Sequence, residues 1–203
     1  MEMKTVAGCD VAYDERYAYA VWVVLSFPGL KELEVKEGEE PIRAEYRSGY
    51  LAERELPPLI TVFKKLKNKP DVVICDGAGI AHPRRFGLAC ALGRAIDIPT
   101  IGCAKSRFVG EAVEPGKMQG SYSPIRIGAE VVGVVLRTRS NVKPVYVSPG
   151  YLITLDEAWR VVLACCQKVR IPEPIRIAHS YALRLRHKRV RSCDIEVNQS
   201  GIG

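Results

Sequence analysis

No two of the seven cysteines (Cys9, Cys75, Cys90, Cys103, Cys165, Cys166 and Cys193) are spaced as a CxxC pair, which argues against a structural zinc site. Their odd number, with no secretory signal pattern at the start, points to a reducing compartment, and a cytoplasmic location is expected. No apolar run is long enough to cross a bilayer, so no membrane association is expected. There is no internal repeat, and no linker rich enough to divide the chain. Asparagine and glutamine are scarce, as in thermophilic proteins, although seven cysteines run against that pattern.

What is present is a chain of 203 residues, 47% of them apolar, enough for one globular domain with a sizeable core and too apolar for a disordered protein. The net charge of +7 favours a polyanionic partner, nucleic acid first, although an ordinary basic surface would give the same number. A monomer is expected.

Hydrophobic periodicity predicts strands at Thr5–Tyr13 and Tyr17–Phe27, joined by the polar turn Asp14-Glu15-Arg16. Residues 31–36 and 41–46 read as two short strands around a Glu37-Gly38-Glu39 turn. A helical spacing runs from Leu51 to Leu66, with Pro57-Pro58 expected to break or bend its start. A buried strand at Asp71–Cys75 precedes a helix over Arg84–Ile96, with Pro83 suited to its first turn. Further strands are expected at Pro99–Cys103, Val131–Thr138 and Pro144–Val147. A capping box, Thr154 with Glu157, opens a helix to about Lys168, and a last helix runs from Pro174 to about Lys188. An antiparallel group followed by alternating helix and strand describes an α/β protein, a mixed β-sheet flanked by α-helices, with sites at the C-terminal ends of strands. Residues 1–190 form the domain and 191–203 a flexible C-terminal tail.

Two acids stand out. Asp10 interrupts an apolar strand, and a mid-strand acid is hard to assign to turn chemistry. Asp76 ends the run Val72–Cys75 just before a glycine turn, where by itself it reads as a residue capping its own backbone. On neighbouring strands the two carboxylates would repel and raise each other's pKa, a conflict that a divalent cation removes. Glu53 and Glu55 flank Arg54 at a helix start; the dipole favours acids there, and position alone does not choose between them.

Arg84 and Arg85 in a helix's first turn would oppose its dipole and attract a phosphate, unless they pair with surface acids. His82 is either an N-cap or a group that touches substrate. Lys105 follows a short buried strand, the address of an active-site cation or of an exposed lysine. His179, among apolar helix positions, reads as a packed core residue. The basic stripe Arg184, Arg186, His187, Lys188, Arg189 and Arg191 suits backbone phosphates, or a solvated helix end.

Six segments, GCDVAY (8–13), GYLAERELPP (49–58), PDVVICDGAGIAHPRRFGLA (70–89), PTIGCAKSRFVG (99–110), PVYVSPG (144–150) and RIPEPIRIAH (170–179), resemble the endonuclease V family in order and register, from about Thr5 to Arg189. The resemblance implies an RNase H-like fold and a Mg²⁺-dependent endonuclease, with Mn²⁺ as a substitute, that acts in DNA repair. It implies cleavage of the second phosphodiester bond 3′ to deoxyinosine in DNA, or to inosine in RNA. Residue by residue, it makes Asp10 and Asp76 the metal-holding aspartates and selects Glu55 as the third acid. It places His82, Lys105 and His179 in the catalytic centre. Tyr46 matches the wedge tyrosine, Gly49, Leu51 and Gly87 the base pocket, and Arg84 remains a candidate phosphate contact. One departure is Glu45-Tyr46-Arg47-Ser48-Gly49, where the family's two wedge prolines are missing, which predicts a less rigid loop. An inosine-specific endoribonuclease and a non-cleaving inosine-binding module are the alternatives.

Overall fold

The structure, a computed structural model, describes residues 3–42 and 51–200, without the side chains of 51–53 and 190–200. Its centre is an eight-stranded sheet made of β1 (Thr5–Tyr13), β2 (Tyr17–Ser26), β3 (Glu32–Pro41), β4 (Val72–Cys75), β5 (Thr100–Ala104), β6 (Tyr122–Ile127), β7 (Glu130–Leu136) and β8 (Val145–Tyr151). The strand order is β3-β2-β1-β4-β5-β8-β7-β6. Among the described residues, only β1–β4 and β4–β5 pair in parallel. Four helices, α1 (Leu51–Phe63), α2 (Leu88–Ile96), α3 (Leu155–Ala164) and α4 (Glu173–Ser200), cover its faces.

The alternation of side chains along β1 sorts the core. Val6 and Ala12 join the cluster under α3 and α4, and Ala7, Cys9 and Val11 the cluster under α1 and α2. Trp22 and Phe63 pack at 5.1 Å between β2 and α1, and the buried Trp22 indole donates to the Leu59 carbonyl at 2.9 Å. The six described cysteines are all buried thiols.

Several elements differ from expectation. Residues 32–41 form one strand that runs straight through the expected Glu37-Gly38-Glu39 turn, while most of the second expected strand, residues 43–46, lies outside the described residues. Gly38 pairs with Ala20 in mid-strand, and a Cβ there would stand 2.8 Å from Val62 of α1, so packing explains this glycine. Pro57 and Pro58 lie within α1, which continues through them.

The second helix begins at Leu88, not Arg84. The N–H groups of Gly87 and Ala89 bond back to the Gly79 and Ala78 carbonyls, and residues 82–85 form a turn with Arg85 at φ 55°. Pro83 is therefore outside any helix, and the two arginines do not oppose a helix dipole. Strand β6 was not foreseen: it is polar, carries Pro124 and lies at the sheet edge, where proline is tolerated. The Thr154–Glu157 capping box is present in full, but α3 ends at Ala164. The last helix continues beyond Lys188 to Ser200, so the segment expected as a loose tail is helical that far.

Candidate active site

The three strands that pair in parallel aim their C-terminal ends at one place. Cys9 is in register with Cys75, which sets Asp10 beside Asp76, one residue past the end of β4. Lys105 follows β5, the next strand along. Asp10 has the parity of Val6 and Ala12 and so faces α4, where His179 Nδ1 meets Asp10 Oδ2 at 2.8 Å. The contact depends on Gly8. A Cβ there would stand 2.3 Å from the Pro174 carbonyl carbon, so only glycine lets α4 begin against β1. The Lys105 ammonium donates to Asp76 Oδ2 at 2.6 Å.

Glu55 arrives on α1 from the opposite face. Burial, and then the charges of Asp10 and Asp76, push its carboxyl up to about 8, against the pull of Arg54. Asp10 is also raised, first by burial, with the Asp76 charge adding to it and His179 working against it. Three carboxylates brought to one place are donors of the kind a hard divalent cation takes. As they stand, Asp10 is engaged by His179 and Asp76 by Lys105. Among the described residues no three His, Cys, Asp or Glu side chains meet closely enough to enclose an ion.

The loop after Asp76 is held by protein backbone. Gly79 N–H donates to the buried Ser148 Oγ at 2.9 Å, and Ile80 N–H to the Pro149 carbonyl at 2.8 Å. A Cβ on Gly79 would strike that carbonyl, and one on Gly87 would meet the Ala78 carbonyl at 2.3 Å. Both backbone groups of Gly87 are engaged, its N–H with Gly79 and its carbonyl with Ala91 N–H. Local sequence gives no signal for Ser148; its PVYVSPG segment reads simply as a strand.

His82 is buried in the turn that follows. Arg84 N–H donates to its Nδ1 at 3.2 Å, so the neutral ring carries its proton on Nε2. Burial, then the Arg84 charge, hold its pKa below the ordinary histidine value. Its ring packs against Phe108 in a tilted contact, centroids 5.2 Å apart. Arg85 pairs with Glu130 at 2.8 Å, the surface-acid alternative. Part of the α4 basic stripe is engaged too, Arg189 with Glu39 at 2.9 Å.

Asp10, Glu55, Asp76, Lys105 and His179 thus converge, with His82 along the adjoining loop. Tyr46 and Gly49 lie outside the described residues, and Leu51 opens α1. Sequence reasoning missed Tyr13, whose buried hydroxyl has no hydrogen-bond partner among the described residues and whose ring lies under Arg54 at 4.0 Å. Its pKa is raised by burial and then by Glu55. An aromatic residue closing GCDVAY, three positions after Asp10, was the available signal.

Comparison with known proteins identifies the family. The endonuclease V family profile matches residues 1–180. Endonuclease V of Gloeobacter violaceus is 45% identical over 192 residues, 92% of this chain and 78% of that one. The crystal structure of endonuclease V from Streptomyces avermitilis superposes with a TM-score of 0.88 at 40% identity, covering 93% of this chain and 83% of that one. The Ciona intestinalis endonuclease V, solved in complex with a 24mer DNA containing an inosine followed by a ribo-adenosine, gives 0.80 at 30% identity over 93% and 88%. The expected RNase H-like fold is thereby shown, and the chain belongs to the endonuclease V family as a nuclease of that type.

Proposed function

We propose that this nuclease uses a divalent cation, Mg²⁺ with Mn²⁺ as a substitute, to hydrolyse the second phosphodiester bond 3′ to deoxyinosine in DNA, in repair of deaminated adenine. The observation that carries this reading is the placing of Asp10 beside Asp76 on parallel strands, with half-buried Glu55 held protonated by burial and by both charges. Asp10, Asp76 and Glu55 would hold the ion. When bound, it supplies Lewis acidity at the phosphate and a water of lowered pKa. The Ciona relative's complex with inosine-containing DNA supports the substrate class.

The chain's own groups divide the remaining work. Lys105, which pairs with Asp76 as the site stands, would turn its ammonium to the phosphate were Asp76 to hold the ion. His82, neutral with its proton on Nε2, donates a hydrogen bond to phosphate oxygen without adding a full charge. His179 holds Asp10 in orientation. Water adds across the P–O3′ bond, leaving a 3′-hydroxyl and a 5′-phosphate. Arg84, close enough to His82 to bias its ionisation, adds positive potential at the phosphate.

The deaminated base leaves the stack, with Tyr46 filling the gap and Gly49, Leu51 and Gly87 shaping its pocket, as the family resemblance implies. With both backbone groups engaged, Gly87 contributes by lacking a side chain. Discrimination from adenine rests on leaving a buried polar group unpaired in the wrong complex, at about 1–3 kcal/mol.

End-labelled DNA and RNA oligonucleotides, each with one inosine, test the reading in Mg²⁺ or EDTA, with Asp76→Ala as control. The expected product is a Mg²⁺-dependent cut at the second bond 3′ to deoxyinosine in DNA. Cutting of RNA alone would make the protein an inosine-specific ribonuclease. No product on either strand would leave a binding module, and equal cutting of adenine DNA would sink the specificity.

A further inference from the structure

Phe108 stands in the loop after β5, three residues beyond Lys105, and is 55% exposed despite its apolar ring. His82 covers part of that ring, the two planes tilted by 31°. Phe108 also lines a small solvent-open hollow of about 10 Å³, together with the small side chains of Ala78, Ala81 and Ala104 and with Tyr146 and Ser148. Ala78 is two residues from Asp76, and Ala104 directly precedes Lys105, so the cavity adjoins the Asp76–Lys105 pair. Arg107 lines it too and brings a cation to its edge. An exposed aromatic face beside flanking positive charge is the combination that receives a nucleotide on a surface, the base on the ring and the phosphate on the cations.

We propose that Phe108 is a stacking platform for a nucleobase beside the phosphate that Lys105 and Asp76 address. The platform takes any base, since every base presents a π-face, and so it fixes the register of the strand and leaves inosine unread. Clamped between the base and His82, the ring couples substrate seating to the position of the imidazole. The proposal rests on the reading of Asp76 and Lys105 as the phosphate site but not on inosine specificity.

Binding is measured in EDTA, by fluorescence anisotropy, on oligonucleotides with one inosine or with adenine in its place. Phe108→Ala is expected to weaken binding of both roughly 5- to 150-fold. Phe108→Leu, which keeps the apolar bulk without the π-system, should lose nearly as much. Phe108→Trp should bind like the parent, with emission beyond that of the two native tryptophans quenched by the oligonucleotide. An abasic site scanned along the strand should erase the difference between parent and Phe108→Ala at one position near the scissile bond. Binding by Phe108→Ala within twofold of the parent would overturn the proposal. So would a deficit unchanged at every abasic position, which would leave Phe108 only as a support for His82. Because the adenine strand is assayed in parallel, failure of inosine recognition would show separately.

Discussion

Gly8 on β1 and Pro174 at the start of α4 touch backbone to side-chain position, so that even a methyl group on Gly8 would stand 2.3 Å from the Pro174 carbonyl carbon. His179 reaches Asp10 from the next turn of that helix, so the close approach sets the distance between them. Gly8→Ala should displace α4, costing about 1–3 kcal/mol of stability. Activity should fall further than that loss explains, since a small misplacement of catalytic groups costs on the order of 10²-fold. Thermal melts and cleavage rates on one preparation check this; unchanged activity would show that His179 does not need its present position.

Lys105→Ala separates stability from catalysis. Its ion pair with Asp76 is half exposed, and such pairs contribute about 0–1 kcal/mol, so the melting temperature should hardly move. Loss of the cation at the phosphate should lower kcat by roughly 10²–10³-fold. A variant with a normal melt and near-normal turnover would remove Lys105 from the site.

Glu55 makes the metal-free protein sensitive to alkali. Its folded pKa of about 8 lies above its ordinary 4.5, so the native state holds a proton that the unfolded chain has lost between those values. The associated stability is complete below the unfolded pKa and disappears as pH rises through the folded one. In EDTA the melting temperature should therefore fall from pH 5 to pH 9, and Glu55→Gln should flatten the slope. Mg²⁺ should raise the melting temperature more at pH 9 than at pH 5, because the ion takes ionised carboxylates. A metal-free melting temperature that rises over this range in the parent would contradict the assignment.

Arg137 offers a test remote from catalysis. It is buried just beyond β7, donates to the carbonyls of Gly116, Pro115 and Val142, and pairs with Glu114 at 2.7 Å. Arg137→Met keeps the bulk but leaves three carbonyls without their donor, at a cost of about 1–3 kcal/mol for each one left unsatisfied. For a chain of this size that is a fall of roughly 10 °C, read by calorimetry.

The elements that local periodicity could identify were those held by local forces. Strand β1 announced itself by apolar residues, and Asp10 by breaking them; the Thr154–Glu157 box closes within one turn. What escaped was set by partners far along the chain. The delayed start of α2 comes from Gly87 and Ala89 bonding back to Gly79 and Ala78, and Gly38 looked like a turn because Val62, which occupies its missing side chain, is on another element. Ser148 and Phe108 carried no local signal, since what they do depends on a loop brought to them by folding. Asp76 lay between these cases, a turn residue until the register of β4 against β1 put Asp10 beside it.

The contact between Asp10 and His179 spans 169 residues, and that between Gly79 and Ser148 spans 69. Such pairings close late, because the entropy of a long loop is lost before the contact can repay it. During synthesis the acids emerge first, and the strand that pins their loop and then the histidine follow them. A partly made chain thus carries the carboxylates without the geometry to use them, and nuclease activity waits on completion of the domain.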